Sequence, residues 1–222
     1  MCSAIAAMTD GDLSTQARIR EAAIRVFGEQ GFDAGVRAVA TAAGVSPGLV
    51  NHHFGSKQGL RAVCDEQVLA VIVSEKRDVL TANSPARMLT SLAEIDRYAP
   101  LVAYLVRSFQ AGGPLARSLF EHMVTGVESY LEDAVAEGRV RASRDPAARA
   151  RYLAMNSLGS TLLYLQMRSE GARTTDYARA IGDMTGEIML PGLEVYTEGL
   201  FTDSSMLDAY TGAHPAAEEE KA

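Results

Sequence analysis

Apolar residues recur at helical spacing along almost the whole chain, and the first clear stripe is Ile19, Ala22, Ala23, Val26 and Phe27. That spacing predicts a helix from about Ser14 to Gln30, with Ser14 or Thr15 able to cap its start and Gly31 suited to its end. A second stripe, Val36, Val39, Ala40 and Ala43, stops at Gly44, a residue tolerant of left-handed dihedrals. Ser46-Pro47 then reads as an N-cap followed by proline at the first helical position, and Val50 with Phe54 forms an apolar pair one turn apart. Two short helices joined by a glycine-containing turn make the shape that lays a second helix in a DNA major groove. By spacing alone, a small helical hairpin within a bundle fits equally well.

The remaining pattern predicts further helices. One runs from Ser56 to about Leu80 on Leu60, Val63, Cys64, Val68, Val71 and Ile72, and Asn83-Ser84-Pro85 breaks it. Pro85 opens another through Leu89, Leu92 and Ile95, and Leu101 to about Phe109 is a short apolar one. Gly112-Gly113-Pro114 reads as a hinge. Leu119, Phe120, Met123, Val124, Val127, Leu131 and Val135 then line a long amphipathic helix ended by Gly138. Asp145-Pro146 starts a helix that is apolar on nearly every face between Leu153 and Met167, so it must be covered on more than one side. A last long helix is predicted from Thr174 to about Leu200, with a kink or break at Pro191-Gly192. The reading is an all-α chain: a flexible arm over residues 1–11, a three-helix head over 12–58, a larger helical bundle over 59–203 and a flexible tail over 204–222.

Composition narrows the chemistry. At 222 residues with 47% hydrophobic residues, the chain can bury a sizeable core. No apolar run reaches the roughly 18 to 20 residues needed to cross a bilayer, and the N-terminus lacks a basic signal-peptide region, so a cytoplasmic protein is expected. Cys2 and Cys64 form no CxxC pair, and no cofactor is indicated. Adjacent His52 and His53 diverge by about 100° on a helix and have no third ligand in sequence nearby, which argues against a metal. No GxSxG elbow, phosphate-cradling loop, HExxH or paired-carboxylate pattern points to an enzyme.

Net charge is −7, which at first sight opposes a nucleic-acid partner. Its distribution matters more. Between Asp12 and Gly59 five bases, Arg18, Arg20, Arg25, Arg37 and Lys57, face four acids, Asp12, Glu21, Glu29 and Asp33, leaving +1, and the rest of the chain carries −8. A weakly basic head must lean on helix N-termini, neutral donors and dimerisation.

Read in order, Arg18-Ile19, Ala22-Ala23, Phe27, Gly31-Phe32, Val36 to Ala40, Ala43 to Ser46, His53-Phe54, Ser56-Lys57 and Leu60 resemble the TetR-type bacterial transcriptional repressors. The likeness covers about Ser14 to Val63. It implies that Ser46, Pro47, Gly48, Leu49, Asn51, His52 and His53 face DNA, and that Arg37, Thr41 and Lys57 meet phosphates. Asn51 stands where the family commonly has tyrosine and Leu49 where it often has threonine. Asn51 can donate to a phosphate or pair with adenine, whereas Leu49 offers only apolar contact.

The resemblance also implies a homodimer built on the last two long helices, for which Leu158, Gly159, Leu162, Leu165, Ile188 and Leu193 are the candidate interface residues. Candidate effector contacts are the polar or aromatic residues set among apolar ones: Tyr104, Arg107, Phe109, His122, Tyr130, Asn156 and Tyr164. The expected function is a ligand-responsive dimeric repressor on a pseudo-palindromic operator, released by a small hydrophobic or amphipathic effector. The alternative is an architectural or partner-controlled DNA-binding protein without an effector, distinguished by whether the body encloses a pocket of roughly 300 Å³ or more.

Overall fold

A computed structural model describes residues 10–81, 85–168 and 176–213. Each apolar stripe becomes a helix, in the order α1 (Asp10–Gln30), α2 (Val36–Ala43), α3 (Pro47–Phe54), α4 (Lys57–Thr81), α5 (Pro85–Ala93), a 3-10 turn (Ile95–Tyr98), α6 (Ala99–Ala111), α7 (Gly113–Ala136), α8 (Pro146–Arg168), α9 (Tyr177–Thr197) and α10 (Ser205–Ala213). No strand occurs among the described residues. The chain divides into two compact units, one through Gly182 and the other from Asp183.

In the first unit one core is shared by head and body. Ile19 and Phe27 of α1, Val39 of α2, Val50 of α3, Leu60 and Val68 of α4 and Tyr104 of α6 are all fully buried and belong to a single cluster that continues into Leu119, Val127 and Leu131 of α7 and Ala150 and Ala154 of α8. Each large side chain in it contributes about 1.5–3 kcal/mol by leaving water. Head and body approach closely at Gly28. A Cβ there would lie 3.0 Å from Ala103 Cβ and 3.1 Å from the Tyr104 backbone nitrogen. Glycine at 28 therefore lets α6 lie directly on α1.

In the second unit no residue between Asp183 and Ala213 is buried. Ile188, Leu190, Leu193, Val195 and Tyr196 of α9 and Met206, Leu207 and Tyr210 of α10 are all exposed.

Several expectations need correcting. Asp10 and Gly11, read as part of the arm, already belong to α1, and residues 205–213, read as tail, form α10. Ser204 donates to the Asp208 carboxylate across the first turn, and the Asp203 carboxylate accepts from the Ser205 N–H, so the start of α10 is capped by its own side chains. Pro191 lies inside an uninterrupted α9, where the missing N–H removes one ladder bond without ending the helix. The glycine pair after α6 forms a tight corner, where Gly112 has φ 63° and ψ −157°, a backbone state that side chains exclude. The rest of the arm, the break at Asn83-Ser84, the helix start at Thr174 and the end of the tail beyond Ala213 lie outside the described residues.

Candidate nucleic-acid interface and effector groove

Local chemistry fixes the angle between α2 and α3. Gly44 ends α2 in the left-handed region at φ 66°, and the Val45 N–H closes back on the Ala40 carbonyl at 2.9 Å. Ser46 then caps α3, its hydroxyl accepting from the Leu49 N–H at 3.2 Å, with Pro47 at the first helical position. Val50 is buried and Phe54 half-buried against the head core, which pins one side of α3.

The opposite side is open. Ser46, Pro47, Gly48, Asn51 and His52 are exposed, Leu49 and His53 half-buried. A Cβ at Gly48 would meet nothing closer than the Ser46 hydroxyl at 3.9 Å, so the fold itself does not require glycine there. Glycine at 59 is required, since a Cβ would collide with the Phe54 carbonyl oxygen that ends α3. Ser56 caps α4 by accepting from the Gly59 N–H at 3.0 Å, which sets the half-buried Lys57 at a helix N-terminus. Arg37 and Thr41 stand exposed one turn apart on α2, the Thr41 hydroxyl donating to the Arg37 carbonyl. Among the described residues no group of His, Cys, Asp or Glu is arranged to hold a metal ion. The head thus presents one exposed short helix with neutral donors, flanked by two bases, which suits reading a groove edge between phosphate contacts.

Behind the head, polar side chains tie α4 and α6 together. The Tyr104 hydroxyl donates to the Asp65 carboxylate at 2.7 Å and lies 3.3 Å from the Arg61 carbonyl. Burial pushes the Asp65 carboxyl above its ordinary value, with the Tyr104 hydrogen bond and the Arg61 charge pulling the other way. The Arg61 guanidinium lies 3.7 Å from the centre of the Phe32 ring, and Arg107 Nε donates to the Gly28 carbonyl. Cys64, buried beside Asp65, has its thiol pushed up to about 12, chiefly by burial.

An open apolar groove of about 340 Å³ runs between α6, α7 and α8, lined by Phe109, Ala116, Arg117, Phe120, Met155, Leu158, Gly159 and Leu162. Of the seven candidate effector residues only Phe109 lines it. Tyr104 is fully buried and held by Asp65, and Arg107 lines a separate 240 Å³ pocket with Phe32, Asp33, Gln110 and Ala111. Tyr130 packs half-buried against the core, and Tyr164 lies under the Arg168 guanidinium. His122 and Asn156 are exposed on α7 and α8. Phe120 and Met155 had been legible only as apolar stripe positions.

The candidate interface residues divide as well. Leu158, Gly159 and Leu162 line the groove, and Leu165 is 4% exposed, packed with Val106 and Ala180. The outward apolar side of α8 is instead Tyr152, Met155, Leu163 and Met167. Ile188 and Leu193 are exposed on α9.

A capped, exposed second helix in a three-helix head, carried on an all-helical body, defines a helix-turn-helix DNA-binding regulator. The family profile described as bacterial regulatory proteins, tetR family, matches residues 19–64, and the one described as tetracyclin repressor-like, C-terminal domain, matches 96–202. The chain belongs to the TetR family of transcriptional regulators, which are not enzymes. It is 52% identical over 203 residues to the HTH-type transcriptional regulatory protein RaaS of Mycobacterium tuberculosis, covering 91% of this chain and 94% of that one. The fold is shared with FadR from Bacillus subtilis in complex with stearoyl-CoA (TM-score 0.55, 14% identity, 83% of this chain and 99% of that). It is also shared with Salmonella enterica GusR (TM-score 0.51, 23% identity, 81% of this chain and 97% of that). Family members bind DNA and small-molecule effectors, and no helix of the described residues is long and apolar enough to cross a membrane.

Proposed function

We propose that this protein is a cytoplasmic homodimeric repressor that binds a pseudo-palindromic operator and leaves it when a small hydrophobic or amphipathic effector enters the body. The observation that carries the effector part is the apolar groove of about 340 Å³ between α6, α7 and α8, large enough for a metabolite-sized ligand. A second support is the direct seating of α6 on α1 at Gly28, because a ligand that displaces α6 meets the head without an intervening linker. The effector shifts the population of DNA-competent dimers only by its differential affinity for the two conformers. Two heads placed about 34 Å apart would occupy successive major grooves, with Asn51 and Leu49 at base edges and Arg37, Thr41 and Lys57 at phosphates.

The test is a duplex selected from a random library, labelled and titrated with the protein, then challenged with a panel of hydrophobic metabolites. An effector should release the duplex and raise the melting temperature together, by about 2.7 kcal/mol of stabilisation at a hundredfold excess over Kd. A panel that moves neither quantity would overturn the effector-controlled reading.

A further inference from the structure

The match to the TetR-type body profile ends at residue 202, and the chain goes on to form α10, a nine-residue helix. Met206, Leu207 and Tyr210 fall on one face of it and are 65%, 52% and 64% exposed. Leu200 and Phe201, just before it, are exposed as well. Isolated helices shorter than about 12–15 residues are marginal in water, so a capped helix of this length with a bare apolar face calls for a docking surface. Its charge narrows the choice. Residues 183–213 contain six acids, Asp183, Glu187, Glu194, Glu198, Asp203 and Asp208, and no lysine, arginine or histidine. Two such segments repel one another.

The opposite composition occurs once in the chain, at the α7–α8 corner. Residues 139–149 carry four arginines against the single acid Asp145, and Arg151 just beyond is paired with Glu121 of α7. Arg139, Arg141 and Arg144 are exposed on the connector, and the Arg141 carbonyl accepts from Arg149, which braces the corner. Tyr152, 65% exposed, offers apolar surface nearly two turns into α8. We infer that α10 is a dimer clasp: the apolar α10 of one copy, with Asp203 and Asp208 at its start, docks on the arginine-rich α7–α8 corner of a second copy. Under a two-fold axis the contact is made twice, each copy giving a helix and receiving one. This inference rests on the homodimer proposed above and adds the segment that closes it.

Sedimentation equilibrium on the full chain, on a chain ending at Thr202, and on each with Arg139→Glu and Arg141→Glu tests it. The full chain should be a dimer at micromolar concentration. Removing residues 203–222 should raise the dimer dissociation constant at least tenfold, and the paired arginine changes should raise it comparably in the full chain but not further in the shortened one. A full chain that is monomeric would sink the homodimer itself. A dimer whose dissociation constant ignores the truncation overturns the clasp alone. Arginine changes that weaken the shortened dimer equally, or a truncation that lowers only the melting temperature of dilute monomer, also overturn it, the latter by showing that α10 docks within its own chain.

Discussion

Tyr104 on α6 donates its hydroxyl to Asp65 on α4 across 2.7 Å, in a position where the tyrosine ring is fully buried and the carboxylate half-buried. The bond gives the carboxylate a partner that burial would otherwise deny it. In Tyr104→Phe the Asp65 carboxyl should titrate higher still, which a carbon-13 titration of its side chain reads. The loss should cost about 1–3 kcal/mol at a pH where Asp65 is charged. Because burial raises this carboxyl in the folded chain, the folded state holds its proton more firmly than the unfolded one. The penalty of the variant should therefore shrink as the pH falls through the raised value, and chemical denaturation at two pH values would show it.

Cys64 gives a second prediction. Its thiol is buried and pushed up to about 12, so almost no thiolate exists at neutral pH. In a Cys2→Ser background the native chain should consume no thiol reagent at pH 8 and one equivalent after denaturation. Reaction in the native state would show that α4 opens away from α1.

Two glycines separate folding from recognition. Gly28→Val should separate α1 from α6, costing about 1–3 kcal/mol by overpacking, read as a lower melting temperature. Gly48→Ala meets open space and gains helix propensity, so stability should hold or rise by up to about 1 kcal/mol. If the α3 backbone approaches DNA closely there, the same variant should lose operator affinity in a fluorescence-anisotropy titration.

Asn51→Ala should weaken operator binding by about 1–3 kcal/mol while leaving the melting temperature unchanged, because Asn51 is exposed and outside the core. Unchanged affinity would remove Asn51 from the readout.

The head was legible because its signals are local. The glycine at 44, the Ser46-Pro47 cap and the paired apolar positions each act within a few residues, and all three reappear in the α2–α3 geometry. The body was legible in its helices but less so in its site. Tyr104 reads in sequence as a polar group among apolar ones, a plausible ligand contact, and only the fold reveals that a residue 39 positions away takes its hydroxyl. Phe120 and Met155 meet across the groove through helix pairing, which periodicity cannot supply. For α10 the signal was present in Asp203-Ser204 with Asp208 and in the spacing of Met206, Leu207 and Tyr210. The run of charge and small residues after it obscured a helix too short to stand out.

The sparse charge of the head has a thermodynamic reach of its own. With Arg37 and Lys57 as the bases beside α3, the homodimer proposed above would bring about four cations to phosphates, and the logarithm of its affinity should fall with the logarithm of salt concentration by a slope of only about 4. Non-specific attachment to bulk DNA, which lives almost wholly on released counterions, is then weak. Under the proposed mechanism such a dimer spends little time on the wrong sequence, and its operator occupancy would follow the concentration of effector rather than the ionic conditions of the cell.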